Sequence, residues 1–416
     1  MNQIPPFQLY LFIMNRLEDI IIEKIKKEGP ITFETFMDMA LYYPELGYYS
    51  SAEATIGRAG DFYTSPHLHP VFGAVLGKQL MEMWTLMGKP SVFHSVEIGA
   101  GSGYLCKDIL DYLHNPSKNI SPAQDKSDFL RSLRYVIVEP YEHFEERQRD
   151  ILGDYLKCRD GFETRPYCKR GDEIAGACPA WVKSLKELHE GITGCIFSNE
   201  LLDAFPVHLV VMEDELKEIY VDFKGKEFVE VKKGLSSAEL TNYLREFSVA
   251  LQSGYRTEIN LRIKSWLEET GAALSKGFLL TIDYGYSARE YYSAERTDGS
   301  LLCYHNHQFN ENPYRNTGGQ DITAHVNFSS LKKWGKELGL RTIGYCPQGT
   351  FLIASGIDEI ITELYADSPD YAFEVSKIKG LIFPQGFGES HNVMIQYKGP
   401  GSPELRGFSM RNQIFL

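Results

Sequence analysis

Short apolar runs alternate with amphipathic segments along most of the chain, and this alternation predicts its fold. Several runs have the length and apolar character of buried strands, and most segments between them carry apolar residues at helical spacing. The four clearest strand runs and two later ones span residues 92–98, 134–139, 194–198, 277–283, 340–345 and 392–397. Buried strands that alternate with helices predict an α/β fold with a doubly wound, mostly parallel sheet of the Rossmann-like kind.

The first 90 residues have a different pattern and predict an N-terminal helical lobe. Apolar residues recur at helical spacing over 16–27 and again over 70–87. Thr32 has the chemistry of an N-cap for a further helix that runs through Met39. Residues 42–60 are rich in Gly, Pro, Tyr and Ser, which predicts a loop.

Two further segments interrupt the strand–helix alternation. Residues 217–223 and 227–231, separated by Lys224-Gly225, predict a β-hairpin inserted at the rim of the sheet. The polar tract 115–128 predicts an excursion or flexible loop. We expect the chain to divide into an N-terminal lobe with a covering loop at 1–90, a core at 91–400 and a tail at 401–416. The core would contain an insertion at about 214–265 and a lid region at about 287–328.

The amino-acid composition narrows the classes of ligand and compartment that fit the protein. The 416 residues carry a formal charge of −13, which disfavours nucleic acid as a partner and favours cationic ligands. No run reaches the ~18 apolar residues of a membrane span, so none is predicted. The seven cysteines are scattered and contain no C-x-x-C pair, which indicates a reducing compartment. With no basic leading segment, we expect a cytoplasmic, bacterial protein of unknown oligomeric state.

The strongest local motif is the glycine-rich turn after the first strand. It reads Glu97-Ile-Gly99-Ala-Gly101-Ser-Gly103 and lies between a predicted strand and a predicted helix, as a nucleotide-binding loop should. Glycines permit positive φ and let a ligand approach the backbone closely. A dinucleotide fingerprint would need glycine where Tyr104 stands, and no G-K-[S/T] follows, so a P-loop is excluded. The acidic Glu97 before the glycines suits a methyltransferase motif.

Glu139 ends the second strand, where ligands of open α/β sheets bind. A carboxylate there can accept hydrogen bonds from both hydroxyls of a ribose. The separation from the glycine turn exceeds the usual ~20 residues, and the polar tract accounts for most of the excess. The alternative is a strand-end carboxylate that faces water.

An acidic loop, Ser198-Asn199-Glu200-Leu-Leu-Asp203-Ala-Phe-Pro206, follows the third strand. Carboxylates at this strand tip could grip a guanidinium or another amino acceptor and turn its lone pair toward a methyl donor. The alternative is that the polar groups only cap the following helix. Asp283, at the end of the fourth strand, could line the same pocket or cap the next turn.

The histidines His305, His307 and His325, together with Asp321, allow two readings. Their spacing could form a metal site, although spacing alone is weak evidence. The favoured interpretation is hydrogen bonding that closes a lid over the site, with no metal bound.

At this point the chain resembles the MidA family, which includes the mitochondrial complex I assembly methyltransferase and many bacterial members. The resemblance extends from about residue 15 to 400, and several motifs carry it together. They are Gly29–Tyr49, Gly60–Pro66 with Phe72-Gly73, Glu97–Gly103, Trp181 with Ser184-Leu185, Ser198–Val207, Ile282–Tyr286 and Gly319–Phe328.

The resemblance implies a class I methyltransferase fold that binds S-adenosyl-L-methionine and methylates protein arginine. By similarity, Glu97, the three loop glycines and Glu139 would bind the cofactor, and Asn199, Glu200 and Asp203 would face the acceptor. The segment that would fold over the cofactor contributes Gly60, Asp61, Thr64 and Ser65. The chain departs from the family pattern at His67, where Glu is usual, and over Gly388–Val393, where a basic-aromatic stretch is usual.

The sequence therefore predicts a methyltransferase that transfers a methyl group to a nitrogen, with a protein arginine as the favoured acceptor. Three alternatives remain open: a small-molecule methyltransferase, a non-catalytic assembly factor that retains the fold, and a nicotinamide oxidoreductase. A closed pocket would favour a small acceptor, and an open acidic groove a protein. The intact glycine turn and Glu139 argue against the pure scaffold, and Tyr104 argues against nicotinamide.

Overall fold

The computed structural model describes residues 6–52, 63–115, 120–156, 178–305 and 308–414. The strands are β1 (Ile31–Thr32), β2 (Phe93–Ile98), β3 (Leu133–Val138), β4 (Ala180–Val182), β5 (Ile192–Asn199), β6 (His208–Met212), β7 (Leu216–Lys224), β8 (Glu227–Lys233), β9 (Arg256–Ile259), β10 (Leu274–Tyr286), β11 (Leu302–His305), β12 (Gln308–Asn310), β13 (Asp321–Thr323), β14 (Val326–Asn327), β15 (Arg341–Pro347) and β16 (His391–Lys398).

The α-helices are α1 (Pro6–Glu28), α2 (Phe33–Tyr42), α3 (Ser65–Leu68), α4 (Val71–Leu86), α5 (Tyr104–His114), α6 (Ile120–Ser132), α7 (Glu142–Ile151), α8 (Gly153–Leu156), α9 (Glu239–Glu246), α10 (Arg262–Ala273), α11 (Ala288–Tyr291), α12 (Phe328–Glu337), α13 (Gln348–Ala354), α14 (Ile357–Tyr365), α15 (Tyr371–Lys377), α16 (Lys379–Ile382) and α17 (Phe387–Ser390). In the described part of the chain, none of them has the length and apolar character that a membrane span requires.

The central sheet confirms the predicted fold class. Its order is β15-β16-β10-β5-β2-β3-β4, with the short β14 paired to β10. The pairs β10–β5, β5–β2, β2–β3 and β3–β4 are parallel, whereas β16 runs antiparallel to β10 and β15. The chain leaves β2 toward β3 on one side and returns as β5 on the other, so the strand order reverses at β2. A reversal of this kind opens a crevice at the carboxyl ends of the strands.

Alternating side chains divide the core between the two faces of this sheet. In β3, Tyr135 and Ile137 pack with helices α4 and α5, whereas Val136 and Val138 pack on the opposite side with α10 and α12. Successive residues of a strand point to opposite faces, so a run that is apolar at every position must be covered on both sides. The continuous apolar runs in the sequence follow from this arrangement.

The predicted hairpin is present as β7 and β8, but the prediction that it lies at the rim of the central sheet is wrong. It belongs to a second sheet ordered β1-β7-β6-β9, with β8 on β7. Its partner β1 comes from the N-terminal segment, where Ile31 pairs with Val221. Helices α1 and α2 pack on this sheet through a separate apolar cluster that includes Leu17 and Phe36. Pairing between residues about 190 positions apart leaves no local signal.

Two local predictions had opposite outcomes. Thr32 caps α2 as predicted, because its side chain accepts a hydrogen bond from the Thr35 amide. The prediction of an excursion or flexible loop over 115–128 is wrong for residues 120–128, which belong to α6, and residues 116–119 lie outside the described part of the chain. Phe129 is fully buried, and the nearly buried Lys126 holds Glu363 at 3.0 Å, so tertiary contacts retain a helix that looks too polar locally.

Candidate active site

A cavity of about 620 Å³ lies at the carboxyl ends of the central strands. It is lined by the residues that immediately follow β2, β3, β4 and β5, which is where the strand order opens a crevice. Of the residues predicted to bind the cofactor or face the acceptor, those that line it are Thr64, Glu97, Gly99, Gly101, Glu139, Asn199 and Glu200. Ser65, Gly103 and Asp203 are absent from the lining, and Gly60 and Asp61 lie outside the described residues.

The glycine turn after β2 has the conformation that its composition predicts. Gly99, Gly101 and Gly103 have φ values of +74°, +53° and +87°, which L side chains rarely adopt. A Cβ on Gly99 would lie 2.8 Å from Leu201 Cδ1. Gly103 precedes α5, and a Cβ there would lie 3.2–3.4 Å from Gln148. The third glycine therefore permits close packing against α7, and the first two face the cavity.

Glu97 is almost fully buried beneath the turn, although it also lines the cavity. Its carboxylate accepts a 2.5 Å hydrogen bond from the hydroxyl of Tyr135 on β3. Burial raises the pKa of Glu97 to about 7, and the tyrosine hydrogen bond opposes that rise. Glu97 thus ties the start of the turn to the neighbouring strand.

Glu139 lies at the end of β3 and is also nearly buried. One carboxylate oxygen accepts from the amide of Tyr141 at 3.0 Å, and the other accepts from Gln148 Nε2 at 2.9 Å. Burial raises the pKa of Glu139 to about 7, and these hydrogen bonds oppose that rise. Each oxygen retains a lone pair, so the carboxylate can still accept hydroxyl donors from a ligand.

Gln148 connects the glycine turn to Glu139, and sequence reasoning missed it. This fully buried side chain in α7 donates to Gly101 O and to Glu139 Oε2, both at 2.9 Å, and accepts from Trp181 Nε1 at 2.8 Å. One amide thereby fixes two cavity-lining groups relative to each other. The helix α7 reads as an ordinary charged surface helix, so the sequence carried no signal for this residue.

The acidic loop after β5 places Glu200 against the cavity in a strained backbone. Its φ is +52°, a conformation that costs energy for a residue with a side chain and that occurs often at functional sites. The Glu200 amide donates to Ile282 O at 2.8 Å, which holds the turn. Its Oε1 accepts from Asn199 Nδ2 at 3.0 Å and from the Ser65 amide at 3.2 Å. Asn199 Oδ1 is buried without a hydrogen-bond partner among the described residues.

Asp203 and Asp283 lie behind this loop and form its support. Asp203 accepts a hydrogen bond from the hydroxyl of Tyr284, and Asp283 Oδ2 accepts from the amides of Leu201 and Leu202 at 3.2 and 2.9 Å. Burial raises the pKa of both carboxyls, and repulsion from Asp203 raises that of Asp283 further. Asp283 therefore caps the acidic loop itself, and neither lines the cavity nor caps the turn that follows its own strand.

Helix α2 and the turn that follows it supply part of the cavity wall. Tyr42 and Tyr49 stack with ring centroids 5.6 Å apart, and their hydroxyls donate to Ala204 O and Asp321 Oδ1. At the margin, Asp38 carries a pKa raised mainly by burial and forms a 3.0 Å ion pair with Arg262. Among twenty-five tyrosines, spacing alone could not single these two out.

The segment at Thr64 and Ser65 braces the acidic loop more than it faces the cavity. The Ser65 amide donates to Glu200 Oε1, and its hydroxyl donates to Gln348 Oε1 at 3.1 Å. Thr64 Oγ1 lies 2.6 Å from Nδ1 of His67, and both residues line the cavity. His67, where the sequence was expected to depart from the family pattern, is thus part of the cavity wall.

The structure describes two of the three histidines for which a metal site or a lid was considered. His305 Nδ1 lies 2.8 Å from Gly319 O, and the His325 ring packs against Tyr284 and Tyr286. His307 is outside the described residues. In the part of the chain that the structure describes, no group of three potential metal ligands comes together. Closure of a lid by these residues stays a prediction.

Comparison with known proteins gives consistent matches. The family model described as "Putative S-adenosyl-L-methionine-dependent methyltransferase" matches residues 75–346. The protein arginine methyltransferase NDUFAF7 homolog, mitochondrial, of Drosophila melanogaster is 28% identical over 342 residues, which cover 79% of this chain and 72% of the relative. Protein arginine methyltransferase NDUFAF7, mitochondrial, of Xenopus laevis is 27% identical and covers 90% and 83%.

A solved structure from Burkholderia thailandensis, with S-adenosyl-homocysteine bound, matches 99% of both chains with a TM-score of 0.83 and 27% identity. The expectation of a cytoplasmic, bacterial protein is contradicted, because the curated relatives named above are mitochondrial proteins of animals. That expectation rested on the residues at the start of the sequence, which are a weak basis for assigning a compartment.

Proposed function

Because this chain belongs to the MidA family of S-adenosyl-L-methionine-dependent methyltransferases, we propose that it methylates a side-chain nitrogen of a protein arginine. The family match extends over 272 of 416 residues. The predicted family, fold class and cofactor are therefore confirmed. The acceptor and the roles of individual residues are proposals, and the geometry of the cavity supports them as follows.

The cavity has the chemical character that S-adenosylmethionine requires. Gly99 and Gly101 present backbone without side chains, and the braced carboxylate of Glu139 can receive the ribose hydroxyls. Glu97 supports the turn from below through Tyr135. When bound, the cofactor supplies an activated methyl group on a positively charged sulfur. The residues of the chain position this group and exclude water from it.

Glu200 is the observation that supports a cationic nitrogen as acceptor. Its carboxylate lines the same cavity as the glycine turn, held by Asn199 and Ser65 in a strained loop. A carboxylate in this position can pair with a guanidinium and orient one nitrogen toward the methyl group. Asn199 Oδ1 offers a further buried hydrogen-bond acceptor. Asp203 lies behind the loop, where it accepts a hydrogen bond from the hydroxyl of Tyr284. The net charge of −13 also favours a cationic partner.

The relatives add support for a protein acceptor. Those named above are protein arginine methyltransferases by name, at 27–28% identity. Asp38 and Glu269 also line the cavity, and their carboxylates would attract a basic peptide.

The proposal is tested by incubating the protein with labelled S-adenosylmethionine and a host lysate, then hydrolysing the labelled product to identify the methylated amino acid. We expect methylarginine in the protein fraction. Label in a small molecule would refute the protein acceptor, and no label at all would favour a non-catalytic scaffold.

The Glu200→Gln variant tests the role of the loop. It should keep wild-type affinity for S-adenosylhomocysteine by calorimetry and lose at least ~100-fold in transfer rate. Glu359→Gln is a matched control, because Glu359 is an exposed carboxylate that forms ion pairs with Lys78 and Arg406. None of these three residues lines the cavity. Full turnover by Glu200→Gln would remove Glu200 from the acceptor site.

A further inference from the structure

Behind Glu200 lies a buried histidine that the family resemblance does not assign. His391 begins β16, within the segment Gly388–Val393 that departs from the family pattern. Its Nε2 lies 3.7 Å from Glu200 Oε2, and the two side chains are only 4% and 6% exposed. The ring is absent from the cavity lining, so Glu200 stands between the cavity and His391.

The hydrogen bonds around the ring determine where its proton lies. His391 Nδ1 is 2.9 Å from Ser390 Oγ, and that hydroxyl donates its own hydrogen to Gly386 O at 3.3 Å. We assign the serine hydrogen to that bond, which makes Nδ1 the donor in its contact with Ser390. In the neutral imidazole this leaves a lone pair on Nε2, which points toward Glu200.

Two acceptors therefore face each other across a short buried gap. A neutral Nε2 and an ionised Glu200 Oε2 both lack a hydrogen, and 3.7 Å is too long for a hydrogen bond. Nε2 has no hydrogen-bond partner among the residues that the structure describes. A buried polar atom without a partner is costly, and one added proton would satisfy both groups at once.

From this arrangement we infer that Glu200 and His391 form a pair that takes up the one proton released by the acceptor nitrogen during methyl transfer. This inference rests on the proposed function, because it needs an acceptor that loses N–H. The nitrogen gains the methyl carbon, the electron pair of the broken carbon–sulfur bond stays on sulfur, and the N–H proton passes to Glu200 Oε2 or onward to Nε2. A guanidinium remains a cation after methylation, so charge balances when the proton later leaves to solvent. His391 acts through Glu200 and is a positioning residue.

Other groups face the ring and set its surroundings. Tyr284 from β10 lies 5.3 Å away between ring centroids, and Phe387 from α17 lies at 4.7 Å. Asp203 and His325 both interact electrostatically with His391. Burial lowers the pKa of His325 to about 4, so it stays neutral near pH 7 and does not compete for the proton.

The test is the pH–rate profile of His391→Gln, an amide that fits the site but cannot accept a proton. We expect wild-type S-adenosylhomocysteine affinity and a rate at least ~10-fold lower near pH 7, with the loss shrinking as the pH rises and hydroxide replaces the internal acceptor. His208→Gln is the matched control, because His208 forms a similar pair with Glu218 in the second sheet, at 2.8 Å. A loss of equal size at every pH would indicate a structural role and overturn the inference.

Ser390→Ala supplies a second variant that should fold normally, since Ser390 is exposed. It removes the acceptor for Nδ1–H, so we expect a smaller loss of ~3-fold with the same pH signature, and an unchanged profile would contradict us. Nitrogen NMR of the histidine rings in the free protein gives a readout that needs no acceptor. The neutral His391 ring should carry its hydrogen on Nδ1, and a neutral Nε2–H ring would overturn the pair. If the NMR result agrees but no nitrogen is ever labelled, the proposed function fails, whereas the Nδ1–H ring of His391 and its position behind Glu200 stand.

Discussion

Replacing Gln148 with leucine would separate cofactor affinity from general stability. The change preserves side-chain volume approximately but removes the donors to Gly101 O and Glu139 Oε2 and the acceptor for Trp181 Nε1. A neutral hydrogen bond contributes ~1 kcal/mol and one to a carboxylate ~2, so the three together stabilise by about 4 kcal/mol. The apolar leucine, buried where Gln148 was, offsets part of that loss.

The effect on binding follows from what Gln148 connects. It holds the turn and Glu139 in one geometry, so its loss leaves the cofactor to order both groups when it binds. We expect the dissociation constant of S-adenosylhomocysteine to rise ~10- to 100-fold, which corresponds to roughly 1.4–2.7 kcal/mol. Calorimetry at a temperature where the variant is folded measures this directly, and urea unfolding measures the stability.

Gln396→Leu is the matched control. Gln396 is a buried glutamine that donates to Leu331 O at 3.0 Å, and it is absent from the cavity lining. It should lose stability and keep cofactor affinity. If Gln148→Leu bound S-adenosylhomocysteine as tightly as the wild type, Gln148 would be an ordinary core residue and the bracing argument would be wrong.

Two further predictions concern the turn and the pH. Gly101→Val should abolish S-adenosylhomocysteine binding while circular dichroism shows a folded chain, because φ of +53° excludes a branched side chain and the residue lines the cavity; unchanged affinity by calorimetry would contradict this. Burial raises the pKa of Glu97 to about 7 from 4.5, so the folded state retains a proton that the unfolded chain releases. This contribution to the free energy of unfolding is complete below pH ~4.5 and is lost as the pH rises through about 7. The free energy of unfolding in urea should therefore decline from pH 5 to 8, and the decline should be shallower in Glu97→Gln. Equal slopes in the two proteins would refute this prediction.

Local pattern alone determined a large part of this protein. Apolar runs at residues such as 134–139 and 194–198 predicted the parallel strands, because a strand covered on both faces must be apolar at every position. The turn from Glu97 to Gly103 could be recognised because positive φ restricts composition to glycine. The same logic placed the N-cap at Thr32, since its bond reaches only three residues along the chain.

Only the tertiary structure decided which distant groups support the site. Gln148 reaches Gly101, Asp283 caps the loop at Leu201, and His391 stands behind Glu200. The second sheet likewise joins Ile31 to Val221. These contacts depend on side-chain geometry across long sequence separations, which leaves no periodicity and no compositional bias to read. The sequence therefore specified the backbone turn that lines the cavity, and folding alone brought together the groups that hold it in place.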